Sequence, residues 1–370
     1  MPRLPAFQLF SFLLGAAAAT VFWWILVAAQ PLLKQLVANA AKRRQERDLK
    51  ASSGIEETAR KIVHKQSQGM HLAASLFALN EIAEAPRLLA PPAYILPAGP
   101  HFHRDVVEQS LPYLPAWPEL AAVYHAPTLT IPEALSGGMN LIITGQPGAG
   151  KTVALAYLAS QIVNRAPQAQ GLQDRIPFLI HVADLGLPLT NAQKPEDLLK
   201  PLADHLAASA PLFDVPRVPG FVQFAFQSGR ALLLLDGVDE LPQAAIQDAA
   251  SYLRVLLKAY PKTRVITTGA PEYVDGILGL GFVPMALMPW NADQQTHFLQ
   301  RWEELWQRYV ATEAWAQTTA QPVDVLLLNR WLGNDNFGLT PLEFTLKIWA
   351  AYAGDTRGAP GRPDGHGVAG

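Results

Sequence analysis

Two stretches of this 370-residue chain carry side chains suited to holding a polyphosphate. The first is Gly145-Gln146-Pro147-Gly148-Ala149-Gly150-Lys151-Thr152, which follows the apolar run from Met139 to Thr144 and opens a helical pattern at Val153. A run fit for a buried strand, then a glycine-rich turn, then a helix is the context that a phosphate-binding loop requires. Gly145, Gly148 and Gly150 let successive backbone N–H groups turn into one anion-sized hollow. Lys151 supplies a point charge for the β- and γ-phosphates and Thr152 a hydroxyl for Mg²⁺, while the helix from Val153 aims the positive end of its dipole at the same anion. The expected nucleotide-binding set is therefore Gly145, Gln146, Pro147, Gly148, Ala149, Gly150, Lys151, Thr152 and Val153.

The second stretch is Ala231-Leu232-Leu233-Leu234-Leu235-Asp236, followed by Gly237-Val238-Asp239-Glu240. Four leucines ending in an aspartate predict a buried parallel strand that delivers a carboxylate to the C-terminal edge of a sheet, where ligands bind in open α/β folds. Asp236 is the expected Mg²⁺ partner, through water, and either Asp239 or Glu240 is the candidate to orient or activate an attacking water. A helix N-cap is the competing use for Asp239. ATP is the default ligand, and GTP stays open because no base-reading motif is evident in the sequence.

These motifs must be held by alternating strands and helices. Ile176 to Val182 reads as a strand, Pro195 to Ala208 and Phe221 to Ser228 as helices. That alternation predicts an α/β fold, a three-layer sandwich around a parallel sheet, with its core over residues 139–290. Asp293 to Tyr309, Val323 to Trp331 and Pro341 to Ala351 read as the helices of a small bundle over 291–352. Residues 353–370, rich in glycine and proline with no apolar periodicity, read as a disordered tail.

The acidic strand resembles that of one family. A hydrophobic strand, Asp, a tiny residue, a hydrophobic residue and two acids, here Asp236-Gly237-Val238-Asp239-Glu240, is similar to the NACHT group of signal-transducing P-loop NTPases. The resemblance runs from about Leu141 to Ala351 and includes Arg264-Val265-Ile266-Thr267-Thr268-Gly269-Ala270-Pro271 at the position of that family's sensor strand. Such strands commonly end in threonine, a small residue, arginine and proline, so Ala270 stands where a guanidinium would report on the γ-phosphate. The resemblance implies that Thr267 or Thr268 hydrogen-bonds a phosphate or water, which adds Thr268 to the catalytic candidates Asp239 and Glu240. It also implies that the bundle closes over the nucleotide, with Pro341 touching the base; an ordinary first-turn proline is the other reading of Pro341. The winged-helix region and repeat array usual after the bundle in that family are not in these residues, so the chain is either a shortened member or part of a longer protein.

Composition bears on where such a domain works. Hydrophobic residues make up 50% of the chain and charged residues 16%, and the formal net charge of −2 argues against general nucleic-acid binding. The absence of cysteine excludes disulfides, zinc–thiolate sites and thiol nucleophiles. The apolar excess lies at the N-terminus, where Ala6 to Ala29 has only Gln8, Ser11 and Thr20 as polar interruptions, enough for a helix across a hydrocarbon core about 30 Å thick. A retained membrane anchor over residues 1–33 is expected. The rival reading is a signal peptide cleaved near Val27-Ala28-Ala29, but the run is long for a signal core and a secreted NTPase would find no nucleotide. Only Arg3 precedes the run, whereas Lys34, Lys42, Arg43, Arg44, Arg47 and Lys50 follow it, so the positive-inside bias predicts a single-pass protein with its NTPase domain in the cytoplasm.

Residues 34–85 read as one or two helices with a break at Ser52-Ser53-Gly54 and a periodic set Leu72, Leu76, Leu79 and Ile82: a membrane-proximal stalk, a partner-binding helix, or a solvated spacer. Residues 86–138 carry too many prolines for a long helix and read as a linker that packs on the next domain. His101 and His103 with Asp105 and Glu108 have no recognised metal-ligand spacing and read as surface residues. Leu135-Ser136-Gly137-Gly138 resembles a transporter signature but precedes the phosphate loop instead of following it, and reads as a turn. Three functions compete. The first is a membrane-anchored nucleotide switch that exposes a self-association surface or a site for a protein partner. The second is a continuously cycling AAA+ or transport motor, and the third a nucleotide-binding scaffold with little turnover.

Overall fold

In a computed structural model the described residues are 54–90, 126–189, 194–271, 275–319, 323–326, 328, 332 and 339–354. The chain divides into two units, Met1–Ile55 and Glu56–Gly370, and apart from the first two residues of α1 the second holds the elements below. Helix α1 covers 54–68 and α2 is Leu79–Ile82, followed by β1 (Leu88–Leu89), β2 (Thr128–Leu129) and α3 (Ile131–Leu135). Then come β3 (Asn140–Thr144), α4 (Lys151–Val163), β4 (Ile176–His181), α5 (Lys200–Ala208), α6 (Val218–Gln227) and β5 (Ala231–Asp236). The series ends with α7 (Gln243–Ala259), β6 (Arg264–Gly269), α8 (Asp275–Leu278), β7 (Phe282–Ala286), α9 (Ala292–Leu305), α10 (Ala314–Thr319) and α11 (Pro341–Tyr352).

Strands β3 to β7 form one parallel sheet in the order β4-β5-β6-β3-β7. The phosphate-loop strand β3 pairs Ile143 with Thr268 of β6, and β5 pairs Leu235 with Thr267 on the other side of β6. The strands are buried almost without interruption because helices cover both faces. On one face Leu141, Ile143, Leu232 and Leu234 pack with Leu155, Leu158 and Ile162 of α4, with α3 and with Val63 of α1. On the other, Phe178 meets Phe221 and Phe226 of α6, and Tyr252 of α7 donates to the Leu198 carbonyl at 2.9 Å.

Local boundaries differ from the sequence expectation in instructive ways. Pro195–Leu199 is a 3₁₀ turn and only Lys200–Ala208 is α-helical, because Pro201 suits a first helical turn and not an interior one. Helix α6 starts earlier than Phe221, with Pro219 in its first turn. The helix from Ala292 changes to a π-turn over Trp306–Val310, where Trp306 and Val310 are buried. Strand β7 was not foreseen.

The segment before the sheet departs most from expectation. From Glu56 onward it is not a stalk or a solvated spacer but part of this unit. Arg60, only 4% exposed, donates through Nη1 to the Ile162 carbonyl (2.9 Å) and through Nη2 to the carbonyls of Arg175 (2.8 Å) and Gln173 (3.2 Å). Glu56 accepts from Arg60 Nε at 3.1 Å and from both terminal nitrogens of Arg230 at 2.8 Å. Further on, Ala73, Phe77 and Ile82 join Phe298, Trp302, Trp306, Phe344 and Ile348 in a second apolar core, that of the C-terminal helices. Phe77 meets the fully buried Trp302 edge to face at 5.1 Å. Of the periodic set, Leu79 and Ile82 are buried, whereas Leu72 is 43% exposed.

Among the described residues no helix is long and apolar enough to cross a membrane. The run Ala6 to Ala29 lies outside them, as do His101, His103, Asp105, Glu108, residues 327 and 329–331 of the stretch Val323 to Trp331, and the tail beyond Gly354.

Candidate functional site

A cavity of about 480 Å³ opens at the C-terminal edge of the sheet, between the sheet and the second core. Pro147, Gly148, Ala149, Gly150, Lys151, Thr152 and Val153 line it on one side, with Asp236, Asp239 and Glu240. Leu287, Trp290, Phe298 and Pro341 line it on another, and the segment from His71 to Arg87 supplies a third wall. Pro147 to Val153 of the expected phosphate-loop set, Asp236, Asp239, Glu240 and Pro341 thus meet in one place, while Gly145 and Gln146 do not line it. Burial pushes the His71 imidazole below its ordinary 6.5, and its Nε2 lies 3.1 Å from the Phe77 carbonyl.

The phosphate loop is built by the turn between β3 and α4. Among the described residues, no group accepts a hydrogen bond from the backbone N–H of Gly148, Gly150, Lys151 or Thr152. Free donors at a helix N-terminus are the complement of an anion. Lys151 donates to the carbonyls of Gly145 (2.8 Å) and Gln146 (3.3 Å) and pairs with Asp239 at 3.1 Å. Gly145 and Gln146 therefore act in this arrangement by holding the lysine. Gly148 has φ +81°, and a Cβ there would stand 3.1 Å from Thr340 Oγ1 and 3.2 Å from Leu342 Cβ. Its carbonyl accepts from the Leu342 N–H at 3.2 Å, so the first turn of α11 rests directly on the phosphate loop. That turn is fixed by a capping box, Thr340 with Glu343.

Asp236 ends β5 with only 3% exposure. Its Oδ1 accepts from Thr268 Oγ1 at 2.7 Å, and the same hydroxyl accepts from the Gly237 N–H at 3.0 Å. Thr268 is fully buried, and in this arrangement its hydroxyl is spent on Asp236, which it orients from behind. Parallel pairing with β3 puts Thr268 level with Ile143, beneath the loop and not on its rim. Thr152 and Asp236 line the same cavity and offer a hydroxyl and a carboxylate, a hard oxygen set that fits Mg²⁺.

Asp239 and Glu240 lie in a 3₁₀ turn, Val238–Glu240, and their environments separate them. Asp239 neutralises Lys151, while Glu240 remains 68% exposed with His181 Nε2 at 3.3 Å. Of the two, Glu240 is the carboxylate left available to a water. His181 was not singled out in the sequence, although a histidine closing an apolar strand beside the acidic one was a usable signal. Its Nδ1 accepts from the Ala183 N–H at 3.3 Å, which leaves Nε2–H as the donor to Glu240. The ring needs a glycine opposite: a Cβ on Gly237 would fall 2.0 Å from His181 Nε2, and φ there is +79°. The cation near a γ-phosphate that Ala270 lacks is not replaced by Arg264, which lies at the other end of β6 against Gly138.

Residues 140–304 match the family model of the NACHT domain, a family of P-loop NTPases. No curated protein matches the chain. Among solved structures, domain III of the Thermotoga maritima replication initiation protein DnaA is similar at 15% identity and a TM-score of 0.28, covering 64% of this chain and 92% of that one.

Proposed function

We propose that the chain is a membrane-anchored, cytoplasm-facing nucleotide switch: it binds ATP, or GTP, with Mg²⁺ and hydrolyses it slowly. The state of the site would control self-assembly or the binding of a protein partner. The observation that carries this reading is the seat of α11 on the phosphate loop through Leu342 N–H and Gly148 O. A group whose phosphates fill the loop acts on the helical core at its point of contact, and a switch needs nucleotide affinity that differs between two arrangements of that contact.

Thr152 and Asp236 would hold Mg²⁺, which when bound offsets phosphate charge. The chain's own residues do the rest. The loop N–H groups orient the phosphates, Lys151 exchanges Asp239 for phosphate oxygens, Thr268 aims Asp236, and Glu240 takes a proton from or orients the attacking water. Ala270 in the sensor position favours low turnover, and a scaffold that scarcely hydrolyses is the limit of the same reading.

The test is to purify the full chain in mild detergent, identify the nucleotide carried with it, and measure turnover. The switch reading expects retained nucleotide and less than about one turnover per minute, against about 10 per second for a typical enzyme. Rapid cycling would replace the switch with the motor. Lys151→Ala should remove nucleotide binding; unchanged binding would sink the site.

A further inference from the structure

Between α5 and α6 the chain makes a turn, Pro211-Leu212-Phe213-Asp214, closed by the Asp214 N–H on the Pro211 carbonyl at 2.8 Å. Leu212 is 87% exposed and Phe213 88%. Turn tips ordinarily carry glycine, asparagine, aspartate or serine, and this one carries two large apolar side chains. The turn is held firmly. Asp214 accepts from Arg217 Nη1 at 3.2 Å and from Thr58 Oγ1 at 3.1 Å, and the Arg217 N–H donates to the Asp214 carbonyl at 2.8 Å.

Thr58 fixes the turn beside the first turns of α1, two residues from Glu56, where the chain enters this unit. One and two turns further along α1, Lys61, which has Glu57 at 3.8 Å, and Lys65 are exposed, and Arg217, half exposed and paired with Asp214, stands beside the turn itself. The sequence upstream is the basic stretch Lys34 to Lys50 and, before it, the apolar run Ala6 to Ala29. An apolar pair on a rigid tip, near cations and near the entry of the anchored chain, has the chemistry of a bilayer interface. A protein partner is the poorer fit, since a stable interface covers about 800 Å² on each side and an aromatic side chain supplies only about 150–250 Å². Lipid requires no matching shape.

We infer that Leu212 and Phe213 form a wedge that inserts shallowly into the membrane surface, with Lys61, Lys65 and Arg217 toward anionic headgroups. This rests on the proposed anchoring, and the two can fail separately. The absence of cysteine makes Phe213→Cys a unique labelling site. The full-length variant, carrying an environment-sensitive fluorophore there, is reconstituted in vesicles of phosphatidylcholine and phosphatidylglycerol, with Gln247→Cys on the exposed surface of α7 as comparison. Expected are a blue shift and quenching by shallow spin-labelled lipid at position 213, with little quenching by iodide, and the reverse at 247. Iodide-accessible label at 213, equal lipid quenching at both positions, or a blue shift in detergent that depends on protein concentration would overturn the wedge, the last by pointing to a second copy. Release of the whole chain by alkaline carbonate would instead overturn the anchor, whatever the probe at 213 reads.

Discussion

Replacing Thr268 by valine keeps the shape of a fully buried side chain and removes one hydroxyl. That hydroxyl donates to the Asp236 carboxylate and accepts from the Gly237 N–H. A hydrogen bond to a charged group contributes about 1.5–3 kcal/mol, and a buried N–H left without an acceptor costs about 1–3 kcal/mol. The two losses share one atom and some relaxation, so the expected destabilisation around the end of β5 is about 3 kcal/mol. At about 1.4 kcal/mol per factor of ten, amide hydrogen exchange in peptides covering 231–240 should quicken by roughly a hundredfold. Thr268→Ser, which keeps the hydroxyl, should recover most of the protection. Mg²⁺-dependent nucleotide binding should weaken in the valine variant in parallel, because Asp236 loses its orientation. Exchange within about tenfold of the parent, with only turnover reduced, would refute the positioning role and return Thr268 to the phosphate.

Arg60→Met strands three carbonyls and leaves Glu56 with Arg230 alone, so it should cost about 3–5 kcal/mol and release α1, read as proteolytic cleavage within 54–68. Burial tends to raise the Glu56 carboxyl, but Arg230 and Arg60 outweigh it and hold the group below its ordinary 4.5. The folded value is the lower one, so this stabilisation is complete above pH 4.5 and is lost as the pH falls through the folded value; exchange of α1 amides should rise only in that acidic window. Glu240→Gln should spare nucleotide binding and slow hydrolysis, and a variant with full turnover removes Glu240 from the chemistry. His181→Ala frees Glu240 and should change turnover while leaving affinity within about threefold; a large loss of affinity would mean that the histidine holds the phosphate loop instead.

The phosphate loop and the acidic strand were legible because their signals are local. Glycine spacing, an apolar run and a terminal aspartate act within a few residues of one another. The α/β alternation was legible for the same reason. Strand β7 was not, since Pro284 in its centre argues against a strand and is tolerated only because β7 borders the sheet. What the sequence withheld was pairing at a distance. Nothing near Arg60 marks it for burial, since its acceptors are backbone carbonyls at 162, 173 and 175. The link between His181 and Gly237 appears only when two strands lie side by side. Thr268 was noticed on the right strand but its bond to Asp236 was not, because period-two alternation alone does not tell which neighbour a side chain meets.

The stretch from Glu56 to Arg87 runs from the Arg60 clamp to the cavity wall, and its order along the chain has a mechanical consequence. Any pull arriving from the N-terminal side meets the Glu56, Arg60 and Arg230 cluster before it reaches His71. The load is delivered to the far end of α4 and to the start of β5, whose Ile162 and Leu232 lie in the apolar core beside the sheet. Like the strain relief on a cable, the clamp stands between the preceding chain and the contacts around the cavity.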